Sequence, residues 1–174
     1  MMEFIFTLKY RLAAQHDDDT LLERLAEAGC DDALVGIGLP GRLALEFSRE
    51  APSAQDAVLS ALADVKGAIP SARLIEASPD LVGLSDVGEI LGISRQAIRK
   101  LMMSHRVSFP LPIHEGSASI WHLAEVLDWF DQRGGYQIDK AVLDVSKVTL
   151  LVNVAKEACR HPMANNSRMD LLTA

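Results

Sequence analysis

Cysteine is nearly absent from this 174-residue chain, and the two that occur, Cys30 and Cys159, stand far apart with no partner at metal-ligand spacing. That excludes a disulfide framework and a cysteine-based zinc site, and it fits a reducing compartment. Both thiols are expected as small buried or half-buried residues. The chain also lacks any apolar run near the roughly 18 residues that a membrane-spanning helix needs. Its opening residues, with Phe4, Ile5 and Phe6 close behind Glu3, have neither the basic region nor the long apolar core of a signal peptide. The expectation is a cytoplasmic protein without a membrane partner. Positive charge is scarce as well: the formal net charge is −7, which argues against a non-specific polyanion binder. No nucleophile stands beside a base, and no metal cluster or phosphate loop survives inspection, so neither an enzyme nor a bound cofactor is expected.

The shortage of cations is uneven. Residues 1–80 carry seven Lys and Arg against fourteen Asp and Glu, residues 81–134 five against six, and the remainder five against four. Within this acidic chain, residues 92–106 hold Arg95, Arg99, Lys100 and Arg106 with no carboxylate at all. A solvated helix face normally mixes both signs, so the cluster stands out.

The amino-terminal part reads as alternating strands and helices. Phe4, Phe6, Leu8 and Tyr10 have the two-residue period of a strand with one apolar face. Asp17, Asp18 and Asp19 cap a following helix with Leu21, Leu22, Leu25 and Ala28 as its stripe and Gly29 as its stop. Gly36, Gly38 and Gly41 spell a literal G-x-G-x-x-G, the spacing of a dinucleotide fingerprint. That motif requires a helix to open on the glycines, whereas Leu43, Leu45 and Phe47 alternate as in a strand, so a hairpin loop is expected. Ser53 to Asp56 has capping-box spacing before a helix bearing Ala57, Val58, Ala61, Leu62 and Val65, and residues 72–77 read as a strand. Strand, helix, strand, strand, helix, strand is the split βαβ order of the ferredoxin-like fold. That fold hosts many functions and selects none. His16 reads as an ordinary loop residue.

In the middle segment, Ser85 is expected to cap a short helix that buries Val87, Ile90 and Leu91 and closes at Gly92. Ser94 caps a second helix that turns Ile98 and Leu101 inward and leaves Arg95, Gln96, Arg99 and Lys100 outside. Two such helices joined by Gly92 and Ile93 form a helix-turn-helix. Residues 107–114 and 117–121 flank Glu115 and Gly116 and predict a hairpin, restricted to an edge by Pro110 and Pro112. Leu123, Val126, Leu127 and Phe130 predict a packing helix, and Trp121 and Trp129 are expected in the core.

This segment, roughly residues 81–133, resembles the winged helix-turn-helix of the AlpA and excisionase-like branch of the MerR superfamily. The likeness rests on Leu84-Ser-Asp-Val, Leu91-Gly-Ile-Ser-Arg-Gln-Ala-Ile, Phe109-Pro-Leu-Pro and Trp121-His-Leu-Ala-Glu-Val-Leu-Asp-Trp-Phe, in the family's order. The resemblance implies double-stranded DNA as a partner, with Arg95, Gln96 and Arg99 at base edges or phosphates. It implies flanking phosphate contacts at Ser94, Lys100, His105 and Arg106. Family members often carry arginine in the wing just before the tryptophan, where this chain has Ser117-Ala-Ser-Ile. His114, Ser117 and Ser119 can still bond phosphates there, but the hydroxyls release no counterions, so a single copy should bind weakly. Arginine suits guanine O6 and N7, and glutamine adenine N6 and N7, each good bidentate pair discriminating by roughly 1–3 kcal/mol.

From Asp139 onward a long helix is expected, with Val145, Val148, Val152, Ala155 and Cys159 on one stripe and Leu151, Val154 and Ala158 beside it; its valines also permit a strand over 149–154. So apolar a face must pack on the rest of the chain or on a second copy, and a homodimer is the favoured outcome. The tail from His161 is expected to be mobile.

The expected class is therefore α+β: a ferredoxin-like βαββαβ domain over residues 1–80, a winged helix-turn-helix over 81–134, and a helix with a tail over 135–174. The favoured function is a dimeric, sequence-specific DNA-binding regulator, a repressor. The alternative is an antitoxin-like protein that neutralises a protein partner through residues 1–80 and autoregulates through the turn motif; a small-molecule sensor stays open.

Overall fold

A computed structural model describes residues 1–13 and 17–162; His16 and the end of the tail, residues 163–174, lie outside them. The chain is a mixed α+β protein with a four-stranded antiparallel sheet. Strand β1 (Met2–Arg11) is followed by α1 (Asp18–Glu27), β2 (Ala33–Gly36), β3 (Arg42–Ala51), α2 (Ala54–Ala68) and β4 (Arg73–Ser78). The sheet order is β2-β3-β1-β4.

Alternation decides the faces. Phe4, Phe6, Leu8 and Tyr10 of β1 and Leu43, Leu45 and Phe47 of β3 are buried. The register sets Phe6 opposite Phe47 and Leu8 opposite Leu45, and the two phenyl rings stack at 5.2 Å. Helices α1 and α2 cover this face with Leu21, Leu25, Ala57, Val58, Ala61 and Val65. Leu22, expected in the stripe of α1, is 41% exposed. Both helix starts are made as their sequences predict. The Asp17 carboxylate accepts from the Thr20 N–H at 3.1 Å, and the Ser53 hydroxyl accepts from the Asp56 N–H at 3.1 Å. The glycine-rich loop joins β2 to β3 as a hairpin, and no helix opens on it.

One arginine neutralises part of the acidic front. Arg49, on the covered face of β3, bonds both oxygens of Asp32 at 2.7 and 2.9 Å, Asp64 at 2.7 Å and the Gly29 carbonyl at 2.6 Å. Those carboxylates raise its pKa further above the ordinary arginine value, against the opposing effect of burial.

After the sheet come β5 (Leu81–Val82), α3 (Leu84–Leu91), α4 (Arg95–Ser104), β6 (Trp121–His122), α5 (Leu123–Arg133) and α6 (Lys140–Arg160). No helix among the described residues is long and apolar enough to cross a membrane. The second core gathers Val87, Ile98, Phe109, Trp121, Leu123, Val126, Leu127 and Phe130.

The helix α6 belongs to both cores. Val145, Val148 and Val152 pack against the sheet's core, and Leu143 and Val142 against the second. The first three residues of the expected stripe, Val145, Val148 and Val152, thus face the core, but Ala155 and Cys159 are exposed, and the buried positions are Leu143, Val145, Ser146, Thr149 and Asn153. The reason is hydrogen bonding. Strand β4 is a sheet edge, and Asn153 accepts from the Ala77 N–H at 2.9 Å and donates to the Ala77 carbonyl at 2.7 Å. Lys156 donates to the Ile75 carbonyl at 2.6 Å. The helix thus covers the open edge with side-chain bonds, one of the ways sheets avoid pairing with other chains.

The same residues tie the sheet to the second core. The buried carboxylate of Asp80 accepts from Asn153 at 2.7 Å and from His122 Nδ1 at 2.6 Å. Its carbonyl accepts from the first amide of α5, Leu123, at 2.7 Å, and Thr149 donates to the Pro79 carbonyl at 2.6 Å. Replacing Asn153 with Ala strands a backbone N–H, a carbonyl and a carboxylate together. Asn153→Ala is expected to lower stability by about 2–4 kcal/mol. Leu151→Ala, at a side chain 65% exposed, should change it by less than about 0.5 kcal/mol. Urea unfolding midpoints of the two variants check this, and equal midpoints would contradict it.

Candidate nucleic-acid interface

Helix α3 opens earlier than its sequence suggests. Gly83, not Ser85, is the N-cap, and the Asp86 carboxylate accepts from the Gly83 N–H at 2.7 Å. A carboxylate at the third position can reach back to the cap amide, and this competes successfully with a serine cap. The buried face differs too: Val87 and Gly88 are buried, while Ile90, expected inside, is 39% exposed. Gly92 closes the helix at φ +65°, the left-handed conformation that favours glycine.

Gly88 is the part of the turn that the apolar pattern does not reveal. A Cβ there would lie 2.6 Å from the Ile93 carbonyl oxygen, and the Ile93 N–H bonds the Gly88 carbonyl at 3.0 Å. The chain folds back over α3 at a spacing that only glycine permits. Ser94 then caps α4, accepting from the Ala97 N–H at 3.2 Å. Ile98 is fully buried, and Leu101 and Met102 pack beside it.

With Ile98 fixed inward, Arg95, Gln96, Arg99 and Lys100 are all exposed. Arg95, Arg99, Lys100 and Arg106 form no ion pair among the described residues. The face therefore offers cationic forks and one amide to a partner, without internal neutralisation. Residues 80–134 match the family model described as prophage CP4-57 regulatory protein (AlpA). The AlpA-matching segment thus coincides with the stretch whose motifs carry the resemblance. No curated protein and no solved structure matches the chain.

The remaining candidates in the AlpA-matching segment are less uniform. His105 is half-buried at the end of α4, with both ring nitrogens engaged: Nδ1 with the Leu101 carbonyl at 3.0 Å and Nε2 with Arg133 at 2.7 Å. A guanidinium can only donate, so Nε2 accepts and Nδ1 donates. Arg133 also lies over the Trp129 ring at 5.5 Å. It is an exposed cation beside the end of α4 that no sequence motif singles out. Its place in the last turn of α5 is visible in the sequence, but its proximity to His105 requires the fold.

The stretch between α4 and β6 differs from the hairpin expected of it. A single bridge joins His114 to Ile120, and Trp121 and His122 pair instead with Val82 and Leu81. Pro110 and Pro112 remove two backbone donors from the ladder, and the aromatic cluster holds the segment in its place. Phe109 is buried with its ring 6.3 Å from Trp121 and 5.1 Å from Trp129, and the Trp121 indole N–H donates to the Pro110 carbonyl at 3.1 Å. His114 and Ser117 are exposed, and Ser119 is half-buried.

The contact at Gly88 makes a testable demand. Gly88→Ala is expected to destabilise the AlpA-matching segment by about 1–3 kcal/mol, since a backbone atom must move. Gly67→Ala, where nothing lies within 4 Å, should stabilise α2 by roughly 0.5–1 kcal/mol. Hydrogen exchange over residues 84–104, with thermal unfolding, checks both; slower or unchanged exchange in the Gly88 variant would contradict the first.

Proposed function

We propose that the chain is a sequence-specific DNA-binding transcriptional regulator, a repressor that reads paired half-sites as a dimer, with α4 in the major groove. The observation that carries this is the exposed, carboxylate-free face of α4, braced by Ile98, Ser94 and the Gly88 contact, inside a segment that matches a regulatory family. The succession of α3, α4 and the bridged loop before β6 supports a winged helix-turn-helix. The sheet order β2-β3-β1-β4 with two covering helices supports a ferredoxin-like module before it.

In this reading Arg95, Gln96 and Arg99 reach base edges, and Ser94, Lys100 and Arg106 reach phosphates. Arg133, bonded to His105, adds a flanking phosphate contact beside that histidine. His114, Ser117 and Ser119 complete the interface from the loop. The net-acidic residues 1–80 help to orient the approach, because their excess of carboxylates repels the duplex while the face of α4 attracts it. Few counterions are released by one copy, so two copies about 34–36 Å apart supply the affinity. Val145, Val148 and Val152 of α6 are used within the chain, whereas Leu151 and Val154 stay exposed, at 65% and 52%. The open face of the sheet, with Ile5 60% and Leu34 73% exposed, is the surface that this reading assigns to the second copy.

A mobility-shift titration on the DNA upstream of the chain's own coding region tests this. Arg95→Ala and Arg99→Ala are each expected to weaken specific binding about tenfold or more and to relax preference at one base pair. Unchanged sequence-specific binding by both variants would remove α4 as the reading helix. Sedimentation of the protein–DNA complex should give two chains per site, with Leu34→Glu reducing that to one.

A further inference from the structure

The amino-terminal module carries a second basic cluster that the DNA-reading face does not use. Arg11, Arg42 and Arg73 sit at the ends of three neighbouring strands, and the register sets Arg11 directly opposite Arg42 on one side and Arg73 on the other. Like charges directly opposite one another destabilise a sheet. A row of three arginines, in a chain whose first 80 residues have a twofold excess of acid, is the reverse of what stability favours. None of the three has an ion-pair partner among the described residues. Helix α6 adds two more cations, Lys156 and Arg160, on either side of Glu157. Together with Leu74, Ile75 and Cys159 these five line a cavity of about 490 Å³, within the size range of small-ligand sites.

We propose that this cavity binds a small molecule carrying two or more phosphate groups. Five cations against one carboxylate leave a local excess that a single monoanion does not balance. Guanidinium forks match phosphate oxygens in pairs. The shape favours a small ligand over a nucleic-acid backbone: Lys156 and Arg160 of α6 join the row of three arginines around one cavity, instead of extending it into a longer stripe that a strand could follow. The site is also remote from α4, since Arg73 opens β4 and the Asp80 junction follows its far end, about 17 Å of strand away. Neither its existence nor its ligand depends on the DNA-reading proposal.

Calorimetric titration of the full chain with inorganic triphosphate at low salt tests the proposal, with inorganic phosphate and a random-sequence duplex as parallel titrants. Saturable binding of one triphosphate per chain is expected, at least tenfold tighter than phosphate. Arg11→Ser and Arg73→Ser should each weaken it about tenfold, because a charge-assisted bidentate contact is lost. Arg95→Ala should leave it unchanged. Removing one of three facing arginines relieves repulsion, so both strand variants should keep or raise the unliganded melting temperature, and triphosphate should raise it less than in the parent chain. Absence of saturable triphosphate binding, or its persistence when Arg11→Ser and Arg73→Ser are combined, overturns the site. So does a result in which the strand variants weaken only duplex binding, which would make the cluster a DNA-backbone contact.

Discussion

Burying a carboxylate is costly unless its oxygens are bonded, and Asp80 is buried almost completely, with Asn153 on one oxygen and His122 on the other. Each partner belongs to a different part of the molecule: Asn153 to the long helix that covers the sheet edge, His122 to the strand that leads into α5. The backbone on both sides of Asp80 is tied as well, through Pro79 to Thr149 and through its own carbonyl to Leu123. A half-satisfied set would be worse than none, so these bonds hold together or fail together. The two cores are thereby joined through one helix, and the orientation of α3 and α4 relative to the sheet follows from that joint.

On that support, a second constraint shapes the reading face. The turn between α3 and α4 is compact because Gly88 permits the Ile93 carbonyl to approach and Gly92 adopts a left-handed conformation. Compactness fixes Ile98 in the core, and Ile98 fixes which side chains of α4 face outward. The electrostatics reinforce the geometry. Acidic side chains near the sheet are partly consumed by Arg49, whereas the cations of α4 meet no carboxylate within ion-pairing distance among the described residues. The same protein therefore keeps an internal ion network for stability and leaves the cations of α4, and Arg11, Arg42 and Arg73, without an ion-pair partner among the described residues.

The sequence by itself determined the local elements. Period-two alternation in β1 and β3, the capping residues Asp17, Ser53 and Ser94, the stop at Gly92 and the apolar positions of α5 each depend on neighbours a few residues away, so they are legible without a fold. The outward face of α4 was legible for the same reason, because fixing Ile98 and Leu101 inward leaves Arg95, Gln96, Arg99 and Lys100 outside. Where two local signals competed, as between a Ser85 cap and an Asp86 carboxylate reaching back to Gly83, the pattern did not decide. The tertiary structure alone decided that Thr149 and Asn153 join the valines on the buried face of α6, because these polar residues enter the interior only when Pro79, Ala77 and Asp80 are there to bond them. It alone brought Arg133 to His105, replaced the expected hairpin by the pairing of β6 with β5, and gathered Arg11, Arg42 and Arg73 with Lys156 and Arg160. Such features rest on contacts between residues distant in the chain, which no periodicity encodes.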